Sequence, residues 1–535
     1  MSGRWDRSRI GAKTNRLPPL MSIPRRTLAT RKGAITVIGL FLSMLFGLMV
    51  AAYPSSTGIG LVAGSVLLVL LIQINWMKTE AWQIITLVSL TGYVVLNYGF
   101  ENLTVPLGPL RFLPVGELLM GAALALAVLR YRGPVLRRAL QNPPVLCILA
   151  LLLVALIHLA VDLPDHGMYA LRDSTFSFEA LFLLLGILWA VKERNIELLA
   201  KWLLFLFVVT TIYSYTFPLA EQLQTWSPTS GPFHSVPLLG NYQDIAVYLL
   251  AGALFCVWVA PSVVKWPSWA LRTMAIAQLA GLGILQSRTM YTGIALVLVL
   301  LVFLRETKPR SQFLSTIAWT LGVVVLAMLL LSAGGWKVQG RLGTVDLSSL
   351  TKEVKSIWPS SAESLELGHE LDRGAWYGEV WDKAWSSPRH LLVGLGYGQP
   401  LIDFIADNGQ PIRQPHNSTL TVFGRLGLVG LSIWLIFVFL VLKRLWNAVH
   451  GARTVEGVSC PLRLWFLAFS LLGLLDSMVQ PYFEFSHSAV PFFFLVGVAL
   501  GMNPKVARER TAPALVRTPF SLRAAQRDGL RILPW

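Results

Sequence analysis

The stretch Arg413–Gly430, RQPHNSTLTVFGRLGLVG, sets an arginine, a histidine and a second arginine at the mouth of a long apolar run. A histidine titrates near neutrality and can accept a hydrogen bond or a proton from a hydroxyl nucleophile. An arginine fork matches phosphate oxygens bidentately and stays charged. Three further stretches add arginines of the same kind. ILQSRTMYTG carries Arg288 in a very short turn, and YALRDSTFSFEALF carries Arg172 at the start of a span, with Glu179 seven residues on and so on the same helical face. HELDRGAW carries Arg373, and PIRQPHN carries Arg413 and His416. Several such forks converging on one surface would hold a pyrophosphate, with His416 beside it as base or hydrogen-bonding group. Each arginine taken singly also fits a blander role, snorkelling to headgroups or pairing with an acid, and a lone histidine also serves as an interfacial residue. Arg425 lies about two turns inside the next span, where a guanidinium needs a wet cavity or a partner. Glu117, Glu179 and Asp476 also fall within apolar runs. They read either as proton-relay sites or as partners of Arg172 and Arg425.

The elements that must position these groups are membrane spans. Of 535 residues, 54% are hydrophobic and only 14% charged, whereas a soluble domain is about a quarter charged. Crossing ~30 Å of hydrocarbon takes about 20 helical residues. Apolar runs of that kind predict fourteen spans, at 34–52, 58–75, 81–99, 112–129, 144–161, 169–191, 199–218, 242–260, 267–285, 290–304, 313–333, 418–441, 463–478 and 488–501. The fold class is therefore all-α: a polytopic transmembrane bundle of about 14 spans (12–14) with one large loop holding short helices. With the N-terminus in the cytoplasm, the inside segments carry most of the 45 Lys and Arg, while the short outside loops carry Arg111 and Arg288. That asymmetry orients the chain. The chain then divides into a basic cytoplasmic tail 1–33, spans 34–333, a periplasmic loop 334–417, spans 418–501 and a second basic cytoplasmic tail 502–535. The net charge of +17 sits at span ends and in the tails, so it argues for orientation signals and membrane lipids rather than nucleic acid. The apolar run after the first tail reads as an uncleaved first span.

Within the loop, residues 369–386, HELDRGAWYGEVWDKAWS, read as an amphipathic helix. Tyr377, Trp381 and Trp385 form one aromatic stripe on it, with Trp376 alongside. The stripe suits an interfacial belt or the apolar faces of sugars. SSPRHLLVGLGYGQP follows as a Pro/Gly turn region. The three cysteines, Cys147, Cys256 and Cys460, give no disulfide framework. No Walker A, His-Glu-x-x-His or Gly-x-Ser-x-Gly motif is present, and no metal-ligand cluster has convincing spacing. A chain with outer cations and no ATP motif uses either an energy-rich substrate already in the membrane or a gradient. Two classes therefore stay open, a transferase and a polysaccharide transporter or flippase.

HNSTLTVFGRLGLVGL, at the point where the large loop returns to the membrane, resembles the His-Asn-x-x-Leu…Gly-x-x-Gly signature of the bacterial O-antigen ligase and polymerase superfamily. PLLGNYQDIAVYLL, QSRTMYTGIALVLVLL and LDRGAWYGEVWDKAWSSPRHLLVGLGYG resemble other parts of that family in the same order. The resemblance spans about residues 170–500. It implies a GT-C-type helical glycosyltransferase of the inner membrane, working as a polymerase or as an O-antigen ligase. The donor it implies is an undecaprenyl-diphosphate-linked glycan, and the acceptor a glycan or lipid A-core sugar at the periplasmic face. It also implies no cofactor, neither metal nor nucleotide, and other polysaccharide assembly proteins as partners. By the resemblance, His416 and Arg288 are catalytic, and Arg172, Arg288, Arg373 and Arg413 bind the diphosphate. Asn241, Asn417, Arg425 and Glu179 are expected to line the cavity. Two departures stand out. Many members carry glutamate where this chain has Arg425, and fourteen spans exceed the dozen typical of the ligases.

Overall fold

The computed structural model describes residues 79–104, 113–230, 236–333, 339–341, 343–345, 373–405, 411–451 and 459–502. All of them belong to one compact unit, Leu67–Trp535. The expected spans 34–52 and 58–75, the amphipathic positions 369–372 and Arg111 lie outside these residues.

The described chain is built of helices. They are α1 (Ala81–Thr91), α2 (Tyr98–Glu101), α3 (Val115–Arg130), α4 (Pro134–Leu140), α5 (Pro143–His166), α6 (Met168–Glu179), α7 (Phe182–Trp189), α8 (Glu193–Ser214), α9 (Ala220–Trp226), α10 (Ile245–Trp258), α11 (Ala260–Val263), α12 (Ser268–Leu285), α13 (Arg288–Phe303), α14 (Thr307–Ala333), α15 (Arg373–Trp385), α16 (Pro388–Val393), α17 (Ser418–Gly451), α18 (Ser459–Ser477) and α19 (Ser486–Gly501). Three two-residue antiparallel ribbons accompany them: β1–β2 (Thr229–Ser230 with Val236–Pro237), β3–β4 (Gln339–Gly340 with Gly343–Thr344) and β5–β6 (Phe404–Ile405 with Pro411–Ile412). Six helices are long and apolar enough to cross a membrane, and shorter apolar helices stand among them. In hydrocarbon the backbone must satisfy its own polar groups, which is why the apolar runs are helices throughout.

Contacts between helix ends define two ends of the bundle. At one, Glu80 before α1 holds Arg130 at the close of α3 (3.1 Å) and Lys192 before α8 (2.8 Å). At the other, Glu101 at the close of α2 meets the start of α19, and Asp244 before α10 meets the same residue. The second end also carries the loop helices α15 and α16, through the junction of the loop with α17. It is called the outer end below.

The centre is α7 against α19, every residue of α7 and nearly every residue of α19 being buried. The two backbones meet at glycines. A Cβ on Gly186 would lie 2.0 Å from the Phe494 carbonyl oxygen, and one on Gly497 would lie 2.1 Å from that of Leu183. With no hydrophobic drive between helices in lipid, such close approach is what gains dispersion contact. Gly497→Val should therefore force α7 and α19 apart at a cost of about 1–3 kcal/mol, read as a lower thermal unfolding temperature in detergent. Gly283→Ala, in open space on α12, is the control that should leave the melt unchanged or slightly raised.

Candidate active site

The loop that caps the outer end is fixed to the bundle by a buried charge. α17 breaks its helical geometry at Gly427, where φ is +61°. Ladder bonds are interrupted at such a kink, and the freed carbonyls need other donors. The loop supplies them: Leu395 N–H donates to the Gly424 carbonyl (2.8 Å) and Gly396 N–H to that of Arg425 (3.0 Å). Gly394 fits there because a Cβ on it would lie 2.2 Å from the Arg425 oxygen. Two acids then bind the next amides. Tyr397 N–H donates to Asp162 (2.7 Å) and Gly398 N–H to Asp173 (3.0 Å).

Arg425 closes this arrangement. Its guanidinium lies 2.7 Å from Asp173, both side chains 2% exposed, and donates to the Gly396 and Gln399 carbonyls. The partner that the depth of Arg425 demands is thus Asp173 and a ring of loop carbonyls. It is not Glu117, Glu179 or Asp476, the acids that apolar runs made conspicuous. The Glu179 carboxylate instead accepts from the Ser486 hydroxyl. Arg413 joins the same group, donating to the Gly398 carbonyl at 2.6 Å, 3.7 Å from Asp173 and stacked over Tyr169 at 4.5 Å. Arg172, next to Asp173 on α6, lines a small cleft together with Asp173, Arg425, Gln414, Ser418, Thr421 and Glu484. Burial raises the pKa of Glu484 above the ordinary carboxylate range. Asp173 escaped the sequence reading although it follows Arg172 directly. The signal available was the adjacency of opposite charges at the head of an apolar span.

His416 sits on the other side of this clasp. Its φ is +52°, in the left-handed region. The ring stands edge-on to Trp376 with centroids 5.3 Å apart, and Trp376, 3% exposed, packs on Phe404 at 5.2 Å. Trp376, Val380, Leu401 and Ile402 form the loop's own apolar core. The Asn417 side chain caps α17 by accepting from Leu420 N–H (3.0 Å), which fixes the residue after His416. The Tyr377–Trp381–Trp385 stripe divides: Tyr377 packs against the loop core, Trp381 lies 5.5 Å from the Phe423 ring of α17, and Trp381 and Trp385 are more than half exposed. The aromatic that holds the histidine is the one beside the stripe.

Burial, and then the charge of Arg373, lower the pKa of His416 to about 4, against a smaller opposing pull from Asp244. The ring is therefore neutral near pH 7. Its Nδ1 is buried and has no hydrogen-bond partner among the described residues. Burial also lowers the pKa of Arg373, with Tyr377 and Asp476 near enough to support its charge and Arg341 near enough to oppose it. Arg373 opens α15, the helix that carries Trp376, and so stands one turn from the ring on which His416 packs.

Arg288 opens α13 just after Gln286, which takes φ +48°. The β3–β4 ribbon lies on this turn: Arg341 N–H donates to the Ile284 carbonyl (3.2 Å), and Gly340 abuts the Gln286 side chain. Arg288 therefore stands at the end of the bundle that also holds Arg341 and Arg373. Asn241 braces its own turn, donating to the Pro237 carbonyl at 2.7 Å. The structure accordingly brings His416 and Arg373 together. It gathers Arg172, Arg413 and Arg425 around Asp173, and sets Arg288 on the turn beneath the ribbon. Arg341 went unremarked in the sequence because it stands in no apolar span and beside no recognisable motif.

Fold and site together define an integral membrane protein of the polytopic all-α class with a cation-rich polar site at one end. Residues 273–435 match the family model described as O-antigen ligase. That segment runs from α12 into α17 and holds Arg288, Arg373, Arg413, His416, Asn417 and Arg425, and through it the chain is similar to the O-antigen ligase family. No curated protein matches the chain.

Two outcomes follow from this geometry. Asp173→Asn or Arg425→Leu strands one buried charge, so each should cost about 3–5 kcal/mol, read as a depressed melting temperature and faster proteolytic cutting between residues 394 and 413. The folded pKa of His416 lies below its ordinary 6.5, so the unfolded chain takes up the proton first. Its contribution to stability is complete above pH 6.5 and disappears as pH falls towards 4. Melting temperatures should drop over that window more steeply for the native protein than for His416→Asn.

Proposed function

We propose that this protein transfers a glycan from an undecaprenyl-diphosphate-linked donor to an acceptor sugar hydroxyl at the periplasmic face of the bacterial inner membrane, as a polymerase or an O-antigen ligase. The observation that carries this reading is His416: a neutral, buried imidazole with an unpartnered Nδ1, set beside Arg373. Orientation follows from charge. Arg130, Arg137, Arg138, Lys192, Arg305, Lys308, Lys443 and Arg444 gather at the end opposite the site, as expected of a cytoplasmic end.

In this reading Arg288, Arg373 and Arg341 receive the donor diphosphate. Their charge stabilises the negative charge that grows on it as the anomeric C–O bond breaks, a preorganised electrostatic effect that is usually the largest contribution to catalysis. His416 accepts the proton of the attacking hydroxyl. A single displacement inverts the anomeric centre. The cleft beside Arg172 and the exposed apolar flanks of α5 and α17 give the polyprenyl chain a lipid-side approach. Arg413 and Arg425 act on the site through the loop they hold, since their guanidinia are engaged with Asp173 and loop carbonyls.

His416→Ala should reduce transfer from a purified lipid-diphosphate glycan by at least about 100-fold, and Arg288→Lys, which keeps the charge and loses the fork, should also lower it. The assay is glycan transfer in proteoliposomes without an ion gradient, with monodisperse protein as the control. Wild-type rates in His416→Ala would remove the histidine from the chemistry. Strict dependence on a gradient would instead favour a transporter.

A further inference from the structure

One flank of the outer end is apolar, exposed and unused by the site as described. Trp381 and Trp385 of α15 are 52% and 57% exposed, with ring centroids 5.8 Å apart, and Leu392 of α16 is 53% exposed. A contiguous apolar patch of this kind marks a contact with something. α15 is built around it. Trp376, Val380 and Ala384 are buried in the protein. Glu379 and Lys383 occupy the opposite flank, where Lys383 pairs with Glu379 (2.9 Å) and with Asp403 (2.8 Å). The tryptophan flank carries no charge of its own.

What covers this flank follows from α17. That helix is 34 residues long and breaks at Gly427. Every residue from Thr421 to Gly427 is buried, whereas Leu428 and Val429, and further on Leu435, Ile436 and Phe439, are exposed apolar side chains. The part beyond the kink holds about 24 residues and rises roughly 36 Å, enough to cross ~30 Å of hydrocarbon without the part before it. The lipid-facing surface of α17 therefore begins at the kink, which marks the edge of the hydrocarbon at this end. The tryptophan flank stands at that level. Trp381 lies 5.5 Å from the ring of Phe423, one turn before the kink, and a Cβ on Gly427 would lie 2.5 Å from the Leu392 carbonyl. Arg389, exposed and one turn before Leu392 on α16, adds a cation. Tryptophan and arginine over an apolar rim is the composition of a headgroup layer. A stacking platform for sugars needs the same rings, but gives no reason for them to lie level with the start of a lipid-facing helix.

We propose that α15 and α16 lie in the surface of the bilayer, with Trp381, Trp385 and Leu392 inserted at the headgroup–acyl boundary of the leaflet at the outer end and Arg389 among the lipid phosphates. The partner is phospholipid, held as an interfacial amphipathic helix holds it. The insertion also sets the height of the site. Trp376, the ring on which His416 packs, precedes Trp381 by about 7.5 Å along the axis of α15. The imidazole is thereby kept within roughly one helix diameter, ~10 Å, of the lipid phosphates, the layer in which a diphosphate on a lipid tail presents itself. This consequence rests on the transferase reading above; the insertion does not.

The test reads the tryptophan fluorescence of the full chain in proteoliposomes of phosphatidylcholine that is unlabelled, brominated near the headgroup end of its acyl chain, or brominated near the chain's middle. The emission lost in Trp381→Phe/Trp385→Phe relative to the native protein reports on the two rings. Shallow bromine should quench that component at least about twofold more than deep bromine. Trp319→Phe, which removes a ring 64% exposed midway along α14, should report the reverse order, and Trp434→Phe, which removes a ring 1% exposed, should report no quenching. A component that neither bromolipid quenches overturns the proposal. Quenching by acrylamide in the water would then mean rings that face solvent or glycan, and shielding from all three quenchers would mean rings covered by protein. If the double variant fails to fold, Trp385→Phe, which removes the more exposed ring, is read in the same way. A protein quenched as expected but inactive in glycan transfer would keep the insertion and lose the transferase reading, and an active protein without the quenching would do the opposite.

Discussion

The outer end of this protein depends on one ion pair. Arg425 and Asp173 are each almost wholly inaccessible and sit at the depth where a lone charge would be intolerable. Neither residue is explained by its own helix. Asp173 also receives an amide of the loop, and Arg425 also gives protons to two loop carbonyls. The pair therefore joins three pieces, α6, α17 and the glycine-rich segment, into one unit. His416, at the root of α17, hangs from that unit. The kink at Gly427 is part of the same construction, since it releases the carbonyls that the loop amides occupy.

A second constraint operates beside it. The imidazole of His416 is kept uncharged by a wall of aromatic and aliphatic side chains and by a neighbouring guanidinium. Cations placed for an anionic substrate and a base placed for a hydroxyl make opposite demands on a small space. The demand of the imidazole is met by packing it against the buried Trp376. The site is thus assembled from groups that would be unstable singly and are compatible only as a set.

Much of this was legible in the chain. Apolar runs of about 20 residues gave the spans because length and hydropathy decide membrane insertion largely by themselves. The cations around His416 stood out because short outer loops are otherwise almost empty of Lys and Arg. What escaped was pairing across long sequence distance. Asp173 meets Arg425, and Asp244 meets His487, only in space. Sequence spacing relates residues on one helix face. It does not say which helix comes next to which. The roles of Arg413 and Arg425 were obscured for the same reason: chemistry alone marks them as anion binders, whereas the fold gives them carbonyls and a buried acid. On α15 the aromatic off the stripe, Trp376, is the one wholly buried, which periodicity alone did not single out.

The clasp also orders the birth of the protein. α6 leaves the ribosome long before α17, and until α17 has been inserted Asp173 has no guanidinium to meet. During that interval the carboxylate must stay hydrated at the bilayer rim or be held by another protein. The large hydrophilic segment, exported between the two helices, can take its final place only after the later helix arrives. Completion of this end of the bundle is thus a late event in synthesis, reached once α17 has entered the lipid.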